Sequence, residues 1–259
     1  MAFTGITVHP KKETYTFTVG VKDKIGYFTI LSSGNPEVIE VKSGDRLIPF
    51  QTNETKSGVE VYLDEDCSDF TISLKGNDVN IFGFDLHNDN PGVVYHAVGN
   101  NGATYASYNL IPAFASSLAG LDPDLVIISL GTNEAFGNLN EDAFLSQVDK
   151  MVKNIRREIP NAKILLTTPS ECQRSSGKGS SKSYRINDNV ERIRDIIMNY
   201  AETNNVPVYD FYNVAGGKGS SDKWIADKLL SSDRIHRTWD GYKLDGTLMH
   251  EALREALTY

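Results

Sequence analysis

The chain has 259 residues, 40% hydrophobic and 23% charged, which is the composition of an ordinary folded protein with room for one large domain or two modest ones. No apolar run approaches the roughly 18–20 residues of a membrane helix. A formal net charge of -8 without a long basic run argues against a nucleic-acid surface, which needs clustered Lys and Arg to replace phosphate counterions.

Residues 1 to about 88 read as β structure. The runs at 13–20 (ETYTFTVG), 27–34 (YFTILSSG), 36–44 (PEVIEVKSG), 57–66 (SGVEVYLDED) and 68–84 (SDFTISLKGNDVNIFGF) alternate polar with β-branched or aromatic residues. Each is closed by Gly, Asn, Asp or Pro, and several such strands at regular spacing suggest a β-sandwich or jelly roll. The start, MAFTGITVHPKKE, has no positive segment followed by an apolar one, so no signal peptide is expected.

After HNDNPG the period changes. Residues 93–99 (VVYHAVG) read as a short strand, 109–121 as a helix, and 124–131 (DLVIISLG) as a strand buried on both faces. Residues 141–159 place Phe144, Val148, Met151, Val152 and Ile155 at helical spacing, with Asn140 set to cap the helix. Then come a strand (163–169), a helix (189–204), a strand (206–212) and a helix (242–257). This alternation predicts a parallel α/β layer fold over 91–259, behind a β module at 1–90. The stretch Ser175–Ser183, rich in Ser and Gly, reads as a mobile loop. Cys67 and Cys172 have no zinc spacing and read as free thiols. No cluster has metal spacing, and no cofactor is expected.

In open parallel sheets chemistry sits beyond the carboxyl ends of the strands. The turns there hold Asn100-Asn101-Gly102, Gly131-Thr132-Asn133-Glu134, Pro169-Ser170-Glu171, and Gly216–Trp224 followed by Asp233-Arg234-Ile235-His236. Gly131-Thr132-Asn133-Glu134 resembles the G-x-N-D/E block of the SGNH (GDSL-like) hydrolases. Gly102 resembles that superfamily's second-block glycine, and Asp233-x-x-His236 its D-x-x-H block. The resemblance covers about residues 92–259. It implies a flavodoxin-like three-layer fold with strand order 2-1-3-4-5 and a serine esterase activity on small acyl esters. The β half is similar to the accessory module of envelope-associated members that resemble carbohydrate or peptidoglycan O-acyl esterases. A periplasmic or secreted parent protein is implied.

In those roles His236 is the base and Asp233 fixes its tautomer. Asn133 and the Gly102 N–H donate to an oxyanion. Glu134 is grouped with the substrate-binding residues, where it caps or braces the loop, and Tyr105, Tyr184 and Trp224 are candidates to line a sugar pocket. The superfamily's first block, an apolar strand ending in Gly-Asp-Ser, has no match. Ser43-Gly44-Asp45 holds the letters in another order, and Ser32, Ser33, Ser107 and Ser170 are weaker candidates. The expectation is therefore a nucleophile outside this chain, supplied by a preceding segment or a second chain, and a vacant central slot between the strands at 92–98 and 124–130. The chain alone is then nearly inactive. The rival expectation is a non-catalytic carbohydrate-binding or scaffold protein with a degenerate hydrolase half.

Overall fold

The computed structural model describes residues 7–55 and 58–258. Contacts divide them into two compact units. The first holds the described residues up to Asn101, with Ile111–Pro123 and Arg157–Pro160; the second holds Gly102–Leu110, Asp124–Arg156 and those from Asn161 onward.

The first unit is one antiparallel sheet of β1 (Thr14–Ser32), β2 (Glu37–Ser43), β3 (Arg46–Leu47), β4 (Phe50–Thr55), β5 (Gly58–Lys75) and β6 (Ile81–His87), in the order β3-β2-β5-β1-β6 with β4 also on β5. The runs at 13–20 and 27–34, expected as separate strands, are two halves of β1, and β5 likewise joins two expected strands. Register shifts between Gly20 and Tyr27 break the β1–β5 ladder. There the sheet folds over on itself. Phe70, which pairs with Val19 in the first half of β1, stacks on Phe28 of the second half with ring centroids 5.1 Å apart. Phe17 meets Phe84 at 5.1 Å across the same fold. One core results, with Phe28, Ile30, Val41, Val61, Ile72 and Leu74 wholly buried. A sandwich-like interior is thus made from a single bent sheet, as β-bulges permit.

After β6 come α1 (Tyr105–Asn109), α2 (Phe114–Leu118), β7 (Leu125–Ser129), α3 (Thr132–Phe136), α4 (Glu141–Glu158), β8 (Lys163–Thr167), β9 (Gln173–Ser176), β10 (Ser183–Ile186), α5 (Asn189–Thr203), β11 (Val208–Tyr209), α6 (Phe211–Val214), α7 (Ser220–Ala226) and α8 (Trp239–Leu257). In the second unit β7, β8 and β11 form a parallel sheet in the order β11-β8-β7. The five residues expected at helical spacing on α4 are the ones it buries, and Asn140 Oδ1 accepts the Ala143 N–H at 3.0 Å as its cap. On α5, Val190, Ile193 and Ile197 are buried. The mixed α/β fold with a parallel sheet is the expected one.

Four expectations fail. Residues 93–99 form no strand, and Val93 and Tyr95 are exposed. The slot between two strands is therefore not formed; β7 pairs with β8, and among the described residues no strand lies on its other flank. The helix expected at 109–121 begins only at Phe114, as α2 followed by a 3-10 turn at Ala119–Leu121; Pro112, which has no N–H for a helix interior, lies in the part that stays outside it. The serine-rich loop is a hairpin, with Ser176 Oγ and Ser183 Oγ 2.9 Å apart across β9 and β10.

Candidate active site

Because β7, β8 and β11 run parallel, the turns after them lie on one edge of the sheet. Gly131 opens the turn after β7 with φ 118, a left-handed conformation that favours glycine. A Cβ there would sit 2.9 Å from Ile193 Cγ2 and 3.3 Å from Pro169, so the turn tolerates no side chain. Asn133 follows on α3, exposed, with its amide donating to the Ala103 carbonyl at 2.8 Å. One amide hydrogen is thereby spent, and an Asn side chain has two. Gly102, at φ 78, precedes α1, whose N-terminus is closed by a capping box between Thr104 and Ser107. The Asn133–Ala103 bond ties the two expected oxyanion donors to neighbouring backbone.

Glu134 braces this turn. Its Oε1 accepts the Tyr105 N–H at 2.7 Å, while Oε2 is buried without a partner. Burial raises its pKa, against the hydrogen bonds that lower it. Tyr105 is fully buried and packs edge-on against Phe144 at 5.5 Å. Trp224 is also buried, its indole N–H on the Ala215 carbonyl at 2.8 Å. Both were expected beside substrate and both are placed in the interior. Tyr184 alone of the three aromatic candidates reaches the surface, beside the Asp233 turn.

The Asp233–His236 turn is the most organised part of the site. His236 Nδ1 lies 2.6 Å from Asp233 Oδ2. Asp233 Oδ1 accepts the backbone N–H groups of Ile235 and His236 at 2.9 and 3.0 Å, and the Ser231 hydroxyl lies 2.8 Å away. Partial burial opposes ionisation of Asp233, but the His236 side chain and the two backbone donors outweigh it and hold the carboxyl well below the usual range. An ionised Asp233 fixes the proton on Nδ1 and leaves Nε2 as the accepting nitrogen.

This turn is tied to the others by hydrogen bonds. The Gln173 N–H donates to the Arg234 carbonyl at 3.1 Å, and Arg234 Nη1 donates to Gln173 Oε1 at 2.7 Å. The next residue, Arg174, donates to the Ala135 carbonyl on α3, which also accepts from Asn187 at 3.2 Å and Asn189 at 3.1 Å. Arg237 Nη2 donates to Ser170 Oγ at 2.5 Å after β8. A continuous polar framework therefore joins the Asn133 helix to the His236 turn. Sequence reasoning missed Ser231, Gln173 and Arg237; the signal was that all three flank or precede a polar turn at a strand end.

Among the described residues no serine is hydrogen-bonded to His236 Nε2. Ser107 is spent in the α1 cap, Ser170 on Arg237, Ser32 on the Gly34 carbonyl and Ser33 on Asn80. Ser43 closes the β2–β3 hairpin. Among the described residues no group of three or more His, Cys, Asp or Glu is set to hold a metal. No described helix is long and apolar enough to cross a membrane.

Among solved structures, a peptidoglycan O-acetylesterase superposes with TM-score 0.69 at 19% identity, over 97% of this chain and 75% of its own. A GDSL-like lipase from Bacteroides thetaiotaomicron VPI-5482 (TM-score 0.45, 24% identity, 60% of this chain and 73% of its own) also matches. So does an acetyl xylan esterase (TM-score 0.45, 17% identity, 58% of this chain and 76% of its own). No curated protein sequence matches the chain. The family profile of the GDSL-like Lipase/Acylhydrolases matches residues 71–244, spanning both the end of the β region and the turns just described. The match covers well over half of the chain, and the chain belongs to the GDSL-like lipase/acylhydrolase family.

Proposed function

We propose that the second unit is the base-and-oxyanion part of a serine esterase acting on small acyl esters, with O-acetyl groups on carbohydrate or peptidoglycan as the substrate class. The observation that carries this reading is the 2.6 Å contact between His236 Nδ1 and an Asp233 held ionised. His236 Nε2 takes the proton of a hydroxyl as its oxygen attacks the ester carbonyl. The Asn133 amide and the Gly102 N–H stabilise the oxyanion that forms. The imidazolium returns its proton to the leaving alcohol, and water then repeats the sequence on the acyl-enzyme. The nucleophilic hydroxyl comes from a Gly-Asp-Ser segment outside this chain. Two facts support this: Ser32, Ser33, Ser107 and Ser170 are hydrogen-bonded elsewhere, and among the described residues no strand pairs with the other flank of β7. The antiparallel sheet of β1 to β6 serves as an accessory module that holds glycan.

The test is turnover of p-nitrophenyl acetate by the chain alone and with an added peptide that carries an apolar strand ending in Gly-Asp-Ser. The chain alone is expected to show no His236-dependent turnover, and the peptide to restore turnover that His236→Ala abolishes. His236-dependent turnover without the peptide would place the nucleophile within the chain. Glycan binding by residues 1–90 with no turnover under either condition would favour the scaffold reading.

A further inference from the structure

We propose that Arg234, Lys182 and Tyr184 form a subsite for a carboxylate on the glycan that carries the acyl group. The inference rests on Asp233 and His236 being the catalytic couple, and it names the substrate that couple meets. Arg234 lies inside the Asp233–His236 turn at φ 63, a region that glycine enters freely and a longer residue rarely adopts. An arginine kept at such a position calls for a use of its side chain. The guanidinium is fixed from two sides: Nη1 donates to Gln173 Oε1 at 2.7 Å, and its carbon lies 3.9 Å from the centroid of the Tyr184 ring. That ring is itself anchored on the turn, since the Tyr184 hydroxyl donates to the Ser232 carbonyl at 3.2 Å.

A second cation is gathered at the same ring. Lys182 Nζ lies 5.0 Å from the Tyr184 centroid. Two positive charges near one ring repel each other. Among the described residues neither is ion-paired, although the chain as a whole has a net charge of -8. Asp233, the neighbouring carboxylate, is occupied by His236 and two backbone N–H groups. Residues 172–187 contain four Lys or Arg and no Asp or Glu. Arg174 is taken up by the Ala135 and Gly137 carbonyls, so it does not belong to the patch.

The pair is therefore missing a negative partner, next to the histidine that would act on the ester. A carboxylate suits it: the guanidinium fork offers parallel donors to two oxygens, and the ammonium adds a point charge. A neutral acylated polysaccharide leaves both cations uncompensated, so the subsite separates acidic from neutral glycans.

The test uses a matched pair of probes, the disaccharide of N-acetylglucosamine with N-acetylmuramic acid and the disaccharide of N-acetylglucosamine with itself, which differ by one lactyl carboxylate. Each is titrated into the full chain while the His236 imidazole signals are followed by NMR. The acidic disaccharide is expected to bind about three- to fivefold more tightly, the range of an exposed charge pair, and the preference should fade at about 0.5 M salt. Arg234→Gln and Lys182→Gln should each reduce the preference. Lys182→Gln lies outside the catalytic turn, and Arg234→Gly keeps the left-handed backbone, so a folding defect is separable from loss of charge. Equal binding of the two sugars with the His236 signals shifted would overturn the subsite and leave the esterase reading intact. A preference unchanged in all three variants would overturn it too. If neither sugar moves the His236 signals, the subsite falls together with the esterase reading.

Discussion

The antiparallel sheet and the parallel sheet of this chain bury comparable sequences to different degrees. In the first, Phe28 and Ile30 on β1 and Ile72 and Leu74 on β5 are wholly buried, because the folded sheet supplies both faces of the core from its own strands. In the second, the apolar run of β7 was expected to be covered on both faces, yet only Ile128 is buried and Leu125 is 39% exposed. The difference teaches that an apolar run records the surroundings it is suited to. Among the described residues β7 has a ladder on one flank alone.

The largest effect that sharpens this contrast is core truncation. Phe28→Ala removes a buried ring with two aromatic neighbours and should cost about 3–5 kcal/mol in denaturant unfolding. Leu125→Ala should cost no more than about 1 kcal/mol, as for a surface substitution. A Leu125 cost as large as that of Phe28 would mean that β7 is covered in solution by something that buries it.

Next come the two glycine turns of the site. Gly131→Ala meets both a left-handed backbone and Ile193, and should destabilise by about 2–4 kcal/mol. Gly102→Ala has open space around the added carbon and should cost only about 1–2 kcal/mol for its backbone. Equal costs in chemical denaturation would show that packing at Ile193 does not fix the Asn133 turn.

The smallest effect concerns Glu134. Its carboxyl is raised by burial, so its contribution to stability is full below the ordinary glutamate range and is lost as pH rises through the raised value. Glu134→Gln keeps an acceptor for the Tyr105 N–H and should flatten that pH dependence with little net loss. Glu134→Ala leaves the buried donor unpaired and should cost about 1–3 kcal/mol. Stability curves against pH for the three proteins check both statements.

Much of this was legible in the sequence because the signals are local. Helical spacing marked the buried face of α4, and Asn140 marked its start. The D-x-x-H spacing marked a turn whose carboxylate meets the imidazole three residues on. What was not legible depends on partners distant along the chain. Residues 93–99 have a strand's composition, but a strand exists only where a neighbour pairs with it. Tyr105 and Trp224 stand beside polar turns in sequence, yet their rings point into the core. The serine-rich stretch 175–183 looked structureless because its order comes from pairing across a hairpin. Ser231 and Gln173 were missed since their roles are fixed by bonds to Asp233 and Arg234 in the folded chain.

The central proposal is that His236 and Asp233 act as a general base on a hydroxyl supplied from outside this chain. Intact-mass measurement after incubation of the purified chain with a fluorophosphonate tests it most directly. The account predicts an unmodified mass. A single adduct that maps to a serine, and is lost in His236→Ala, would contradict it.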